Sequence, residues 1–329
     1  MTNMASYIPS QPAFEGRPWS PLIQIGTFEI QTYSLTMMLG YLLSILTVIY
    51  FWRREKLKMD VVYTLILITI PMGIIGSRFG YIIEQLIYQD EPFKGSAWYK
   101  IWEGGLSIQG GLITTIIVDL AYVYTKRDVV DIRKAGSLII PTILIGQFIG
   151  RFGNYANHEV YGKIDWTGAS SLIWGKTFAD NMYISDTVTN QLGIEAAYRY
   201  PLFLYEAIAN LIGYLILVWI FNYFWIFKPG VNIGMYLVWY GLIRMGMEPL
   251  REESYKLYEY VALGFVIFGA FLVIYYQFFG RVKYIRVKKS ETQSITTYQY
   301  ANPEIYLSYV NVTSFKHIFK KIISKLKNK

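Results

Sequence analysis

The chain has no cysteine and only two histidines, His158 and His317. The first absence excludes disulfides and thiolate metal sites, and the second excludes a histidine-rich metal centre. No metal and no cofactor are expected, and any thiol chemistry must use a cysteine brought by a partner. Charge is also scarce, at 16% of residues, whereas water-soluble domains carry roughly 25%. Apolar residues take its place: 53% of the 329 residues are hydrophobic and the mean hydropathy is +0.29. They gather in uncharged runs of about 20 residues, the length that crosses the hydrocarbon of a bilayer. An ordinary soluble fold is therefore excluded, and an all-α integral membrane protein is expected.

Seven stretches read as spans, at residues 33–52, 61–88, 104–125, 135–154, 201–227, 232–250 and 257–279. Buried helices of a soluble core are the alternative, but the runs lack a polar stripe at helical spacing and several exceed the usual core-helix length. Lys and Arg are retained on the cytoplasmic side of a membrane. Twenty of them fall in the segments 53–60, 126–134, Lys228 and the tail, against eight in the opposite connections. That bias predicts an outside N-terminus and a cytoplasmic C-terminus. Residues 1–32 are polar and contain proline, so they read as an exoplasmic arm without a cleavable signal peptide. Residues 33–279 make a membrane domain with a small exoplasmic head at 155–200, and 280–329 make a basic cytoplasmic tail.

The formal charge of +8 suggests nucleic acid until it is located along the chain: residues 281–329 hold eleven Lys and Arg against two acids, leaving the body near neutral. No nucleic-acid partner is expected. Residues 290–314 look flexible. Lys316 to Lys329 read as a basic amphipathic helix on the anionic lipids of the inner leaflet, with a solvated, disordered tail as the alternative.

A charge inside a span costs about 2.5–3.5 kcal/mol at the helix centre, so it marks a site or a buried pair. With the predicted directions, Arg78, Arg151, Arg244, Glu248 and Arg251 fall in the outer portions of their spans, as do Tyr33, Gln109, Tyr205 and Glu206. Asp119 lies deeper and reads as a structural hydrogen-bond partner. Tyr240, Arg244, Glu248 and Arg251 share one helix face, at about 0°, 40°, 80° and 20° round a helix of 3.6 residues per turn, and Pro249 bends or ends that helix. The set is either a structural ion-pair network or a site whose cationic excess calls for an anion. Gly76 and Gly80 flank Arg78, and Gly146 and Gly150 precede Arg151; small residues at that spacing let helices approach closely.

Two segments are densest in polar groups and glycine. In Gly104-Gly105-Leu106-Ser107-Ile108-Gln109-Gly110-Gly111 the glycines free backbone N–H groups to face a ligand. The second runs Gly150-Arg151-Phe152-Gly153-Asn154-Tyr155-Ala156-Asn157-His158-Glu159-Val160-Tyr161-Gly162 at the exit of a span. This string resembles the signature of the prolipoprotein diacylglyceryl transferase family: an Arg followed by Gly-Asn, a second Asn, a Glu and a Gly. The similarity extends from Ile25-Gly26 and Tyr33 through Gly76 with Arg78, the 104–111 segment and Tyr200-Pro201 with Tyr205-Glu206, to Tyr240 through Arg251, covering roughly residues 20–255.

The resemblance implies an enzyme of the bacterial cytoplasmic membrane, working at the outer leaflet. It would move the diacylglyceryl group of phosphatidylglycerol to the lipobox cysteine of a preprolipoprotein, forming a thioether and releasing glycerol phosphate. It assigns catalysis to Arg151, Arg244, Tyr240 and Glu248. Substrate contacts fall to Tyr33, Arg78, Gln109, Asn154, Asn157, Glu159, Gly162, Glu206 and Arg251. One departure stands out: relatives carry His where this chain has Gln109, and an amide is no base at neutral pH. His158 has no role in the family pattern and reads as a structural surface residue. Two other classes suit intramembrane arginines. An anion transporter predicts a midplane site and repeated halves, neither of which is seen, and a seven-helix receptor of the retinal type needs a lysine in the last span, where residues 257–279 have none.

Overall fold

The computed structural model describes residues 7–25, 28–88, 93, 98–100, 105–252, 256–290 and 293–327. Thirteen helices are found among them: α1 (Thr32–Arg54), α2 (Met59–Tyr88), α3 (Ile108–Thr125), α4 (Ile132–Ile139) and α5 (Ile143–Ala156), three short ones, α6 (Ala169–Leu172), α7 (Lys176–Asp180) and α8 (Thr187–Gln191), then α9 (Leu202–Tyr214), α10 (Val231–Met247), α11 (Lys256–Ile274), α12 (Pro303–Val312) and α13 (Phe315–Lys327). The strands are β1 (Ala13–Phe14), β2 (Ile23–Ile25), β3 (Phe28–Ile30), β4 (Tyr183–Ser185), β5 (Ala197–Tyr198), β6 (Tyr284–Ser290) and β7 (Gln293–Tyr300).

Among the described residues, five segments are long and apolar enough to cross a membrane: Thr32–Arg54, Met59–Tyr88, Ile132–Ala156, Leu202–Asn222 and Lys256–Phe279. α3, with 18 residues, and α10, with 17, are shorter than the usual span. α3 starts at Ile108, later than the expected 104. Leu67, Ile75, Ile117, Ile267 and Phe271 are exposed on these helices. Apolar faces of this extent are tolerable against lipid and not against water.

The chain divides into two compact units. The first comprises residues 1–48, 136–281 and 286–299. Its helices touch through glycine. A Cβ added at Gly40 on α1 would meet the carbonyl oxygen of Gly146 on α5 at 3.0 Å, and one at Gly234 on α10 would lie 2.5 Å from that of Gly269 on α11. Polar groups at one end of the unit satisfy each other: Asn222 donates to the Ser137 carbonyl at 2.6 Å, Asn232 donates to Asn222 at 2.7 Å, and the Gly230 N–H donates to Ser137 Oγ at 2.7 Å. Residues 155–200 fold as a small head around Met182, Ile184 and Phe203. The expected N-terminal arm is part of that head. β1 pairs in parallel with β4, which pairs antiparallel with β5, and Tyr7 donates to Asp180 at 2.6 Å.

The second unit comprises residues 49–135, 282–285 and 300–329. α2 and α3 pack so closely that a Cβ on Gly110 would stand 2.5 Å from the Gly76 carbonyl oxygen and 2.6 Å from Gly80 Cα. Gly110 and Gly111 of the glycine segment thus serve helix packing; Gly104 lies outside the described residues. Ser107 caps α3, accepting from the Gly110 N–H at 3.3 Å. Asp119 is a structural partner as expected, both its carboxylate oxygens lying 2.9 Å from Thr69 Oγ1. The expectation of a flexible 290–314 is overturned for its described residues: β7, which belongs to the first unit but for Tyr300, pairs with β6, and α12 of the second unit follows with Tyr306 and Val310 buried.

Candidate active site

Within the first unit, the start of α1, the end of α5, the start of α9 and the end of α10 meet at one end. Each places a polar residue of the expected set there. Gly153 makes the α1–α5 contact possible, since a Cβ on it would stand 2.7 Å from Tyr33 Cδ2 and 2.6 Å from Thr36 Oγ1. Glu206 on α9, only 2% exposed, is the hub. It forms a close ion pair with Arg151, lies 3.2 Å from Arg251 Nη2 and 3.9 Å from Arg244 Nη1. Arg244 is held from its other side by Glu248 at 3.3 Å, one helical turn on, and its guanidinium lies 5.6 Å from the centre of the Tyr258 ring.

Arg151 also donates to Asn154 Oδ1 at 3.3 Å, and Asn154 donates to Glu159 Oε2 at 3.4 Å. Asn157 ends α5, its backbone N–H bonding to the Gly153 carbonyl at 3.1 Å. Tyr240, one turn before Arg244, stacks on Tyr236 at 6.3 Å and meets Phe265 edge-on at 5.7 Å.

The end of α10 is set by Pro249, as expected. The helix stops at Met247, a tight turn covers Glu248–Leu250, and Arg251 is extended. That extended residue forms an antiparallel bridge with Gly162. Gly162 is closely packed there, because a Cβ would lie 2.7 Å from the Leu250 carbonyl oxygen. The glycine of the signature therefore joins its string to the segment carrying Arg251 through the backbone.

Three guanidinium groups against the two buried carboxylates they pair with leave one formal positive charge among the paired groups, with Glu159, partly exposed and linked through Asn154, as a third carboxylate beside them. Arg151 Nε and Arg251 Nε are buried without a hydrogen-bond partner among the described residues. Their side chains keep 25% and 22% of their surface accessible, so the excess cation can be reached. An anion with several oxygen acceptors suits such a group, because guanidinium forks bind oxyanions bidentately.

Two expected site residues lie in the second unit. Arg78 is buried and donates to the Trp98 carbonyl at 2.7 Å and the Gly105 carbonyl at 2.9 Å, over the Tyr81 ring. Those contacts tie it to Trp98 and Gly105. Gln109 is exposed in the first turn of α3. His158, expected at the surface, is buried, with Nδ1 2.6 Å from the Arg17 carbonyl oxygen and a φ of 52°.

A second ion cluster was missed by sequence reasoning. Arg199 is fully buried between Asp186 and Glu252, at 2.5 Å from each. The Tyr161 hydroxyl donates to Asp186 at 3.2 Å; burial and the neighbouring carboxylate push its pKa well above the ordinary phenol value. Nearby, burial opposes the charge on Asp165, but bonds from Ser170 and Thr167 outweigh it and hold the carboxyl below its usual pKa. No signal in the sequence separates Arg199 from an ordinary loop arginine.

The profile of the family described as prolipoprotein diacylglyceryl transferase matches residues 20–275. A phosphatidylglycerol–prolipoprotein diacylglyceryl transferase of Mycoplasmopsis pulmonis is 51% identical over 261 residues, 79% of this chain and 80% of the relative. One of Streptococcus pneumoniae (strain ATCC 700669) is 31% identical over 260 residues, 77% of this chain and 92% of the relative. With the signature string built into the arginine site and similarity over most of its length, the chain belongs to the prolipoprotein diacylglyceryl transferase family.

Proposed function

We propose that the chain transfers the diacylglyceryl group of phosphatidylglycerol to the lipobox cysteine of preprolipoproteins, the first step of lipoprotein maturation. Family membership and the relatives' names support this reading. The observation that carries it is the convergence of Arg151, Arg244 and Arg251 on the one buried carboxylate of Glu206, with the Arg151 and Arg251 side chains still partly accessible. The thiol sulfur attacks the glycerol carbon, a C–S bond forms, the C–O bond to phosphate breaks, and the thiol proton ends on the departing glycerol phosphate. The step balances with the two substrates alone.

A free thiol has a pKa near 8.5, and a neighbouring guanidinium raises its thiolate fraction at neutral pH. The leaving phosphate gathers charge, which fixed cations in a poorly hydrated site stabilise. Arg151 and Arg244 take that role, Glu248 orients Arg244, and Tyr240 or Tyr33 donates a hydrogen bond to the headgroup. Asn154, Asn157, Glu159, Gly162, Glu206 and Arg251 shape the headgroup site, and Arg78 and Gln109 touch substrate. On this reading the chain has seven spans in the bacterial cytoplasmic membrane, with the N-terminus and the head outside and the site at the outer leaflet. Anionic lipid at the tail concerns a different part of the chain.

The test is thioether formation on a lipobox peptide in phosphatidylglycerol vesicles, read by mass. Arg151→Lys and Arg244→Lys each keep the charge and lose the fork, and each is expected to lose most of the activity while still inserting. Near-normal transfer by both variants would overturn the clamp.

A further inference from the structure

The similarity to the family ends at residue 275, and the tail beyond it has a structure of its own. α12 is fixed to the connection after α3. The Tyr306 hydroxyl donates to the Arg127 carbonyl at 2.9 Å, and Arg127 Nη2 and the Tyr124 hydroxyl both donate to the Thr313 carbonyl, at 3.1 and 2.8 Å. The Arg127 guanidinium lies 3.4 Å from the centre of the Tyr124 ring, and Tyr300 stacks on Tyr306 at 4.1 Å. Lys134 in turn binds Glu55 at 2.6 Å, joining the connection after α1 to the start of α4.

Thr313 is therefore held against the last turn of an apolar helix whose Ile116, Ile117 and Leu120 are exposed. α13 begins two residues later. Round this helix Phe315, Ile318, Phe319 and Ile323 fall within about 140°, and all four are exposed, Phe319 by 68%. Lys316, His317 and Lys320 occupy the other side. The helix carries Lys316, Lys320, Lys321, Lys325 and Lys327 and no acid. On α12, Ile305, Tyr309 and Val312 lie within about 60° of one another and are likewise exposed.

A helix with one lysine-rich and one aromatic-aliphatic face, rooted at the end of an apolar helix, matches an anionic bilayer surface: the apolar face enters the acyl boundary and the lysines meet the headgroups. A second copy of the same face would bring five lysines against five, which like-charge repulsion opposes. We propose that α13 is an anchor on an anionic leaflet, on the side of the membrane where the 55–58 and 126–131 connections emerge. The inference rests on the chain spanning a membrane and not on the transferase reading.

The absence of cysteine makes the test clean. Full-length Phe319→Cys and His317→Cys proteins are labelled with an environment-sensitive fluorophore and placed in vesicles of phosphatidylcholine with or without phosphatidylglycerol, both doped with a nitroxide lipid. The Phe319→Cys label is expected to shift to the blue and to be quenched at least twofold more than the His317→Cys label in the anionic vesicles, with the contrast shrinking in pure phosphatidylcholine. Labels equally exposed to water in both compositions would overturn the anchor, and equal quenching in both would overturn its dependence on lipid charge. Energy transfer between labelled copies at the Phe319→Cys position would replace the bilayer with a second copy, and so overturn it too.

Discussion

Arg199 and Gln109 pose opposite questions about single residues. Arg199 has no exposure and satisfies two carboxylates, so removing it leaves Asp186 buried in the head without its cation, while the Glu252 side chain is 30% exposed. Breaking a buried pair by deleting one partner costs about 3–5 kcal/mol, and Arg199→Met is expected to lose stability on that scale, measured by thermal melting in detergent. A melting point unchanged from that of the parent would show that the carboxylates find other partners. Gln109 is exposed, and its amide hydrogen-bonds without titrating near neutrality. Gln109→Ala is expected to raise KM for the lipid with an unaltered pH profile, and Gln109→His to be tolerated. A new ionisation near pH 6.5 with at least tenfold faster turnover in Gln109→His would instead mark a proton-transfer position. The residues that gather at Glu206 were legible because charge in a span is rare enough to stand out; Arg199 lies in a connection, where arginine is common, and its burial follows from how the head folds around it.

Helices in this chain meet through glycine, and the glycines flanking Arg78 signalled such an approach from spacing alone. The 104–111 segment was harder to read, because glycine in a turn and glycine in a helix contact look the same along a sequence. Its partners, Gly76 and Gly80, lie some thirty residues away. Gly110→Ala is expected to destabilise by about 1–3 kcal/mol, the usual cost of overpacking, while Gly264→Ala, where an added Cβ meets nothing within 4 Å, is expected to be neutral. Equal melting of the two variants would remove the close approach as the reason for glycine. The end of α10 was foreseeable from Pro249, whose ring cannot continue the helix without losing a hydrogen bond. The ribbon and α12 were not. Their polar sequence looks solvated, and their fixed structure comes from tyrosines that find Asp131, Arg127 and each other. A cut after Lys289, inside β6, would dismantle these contacts, so a cut after Ser314 is the cleaner removal of α13.

At the scale of the whole molecule, the membrane character was plain from composition, whereas the number of spans depends on how far α3 and α10 fall short of a full crossing. Basic residues flanking one side predict that a tag placed after Lys329 is cytoplasmic and that residues 155–200 face outward. Protease added to intact spheroplasts is expected to cut the head and spare the tag. Cleavage at the tag before lysis would invert the topology.

The pairing of Glu206 and Glu248 with three arginines also bears on which lipids the protein can tell apart. Because Glu206 and Glu248 already neutralise most of the arginines' charge, the paired groups offer a headgroup an attraction of at most a single unit, and a headgroup that carries its own ammonium brings no net charge to meet it. Phosphatidylglycerol is then expected to compete for the site at least tenfold better than phosphatidylethanolamine of the same acyl chains, a margin of about 1.4 kcal/mol. The margin should widen in Glu206→Gln, where the site's positive excess rises by one unit; equal competition by the two lipids in the parent protein would place the choice of headgroup elsewhere.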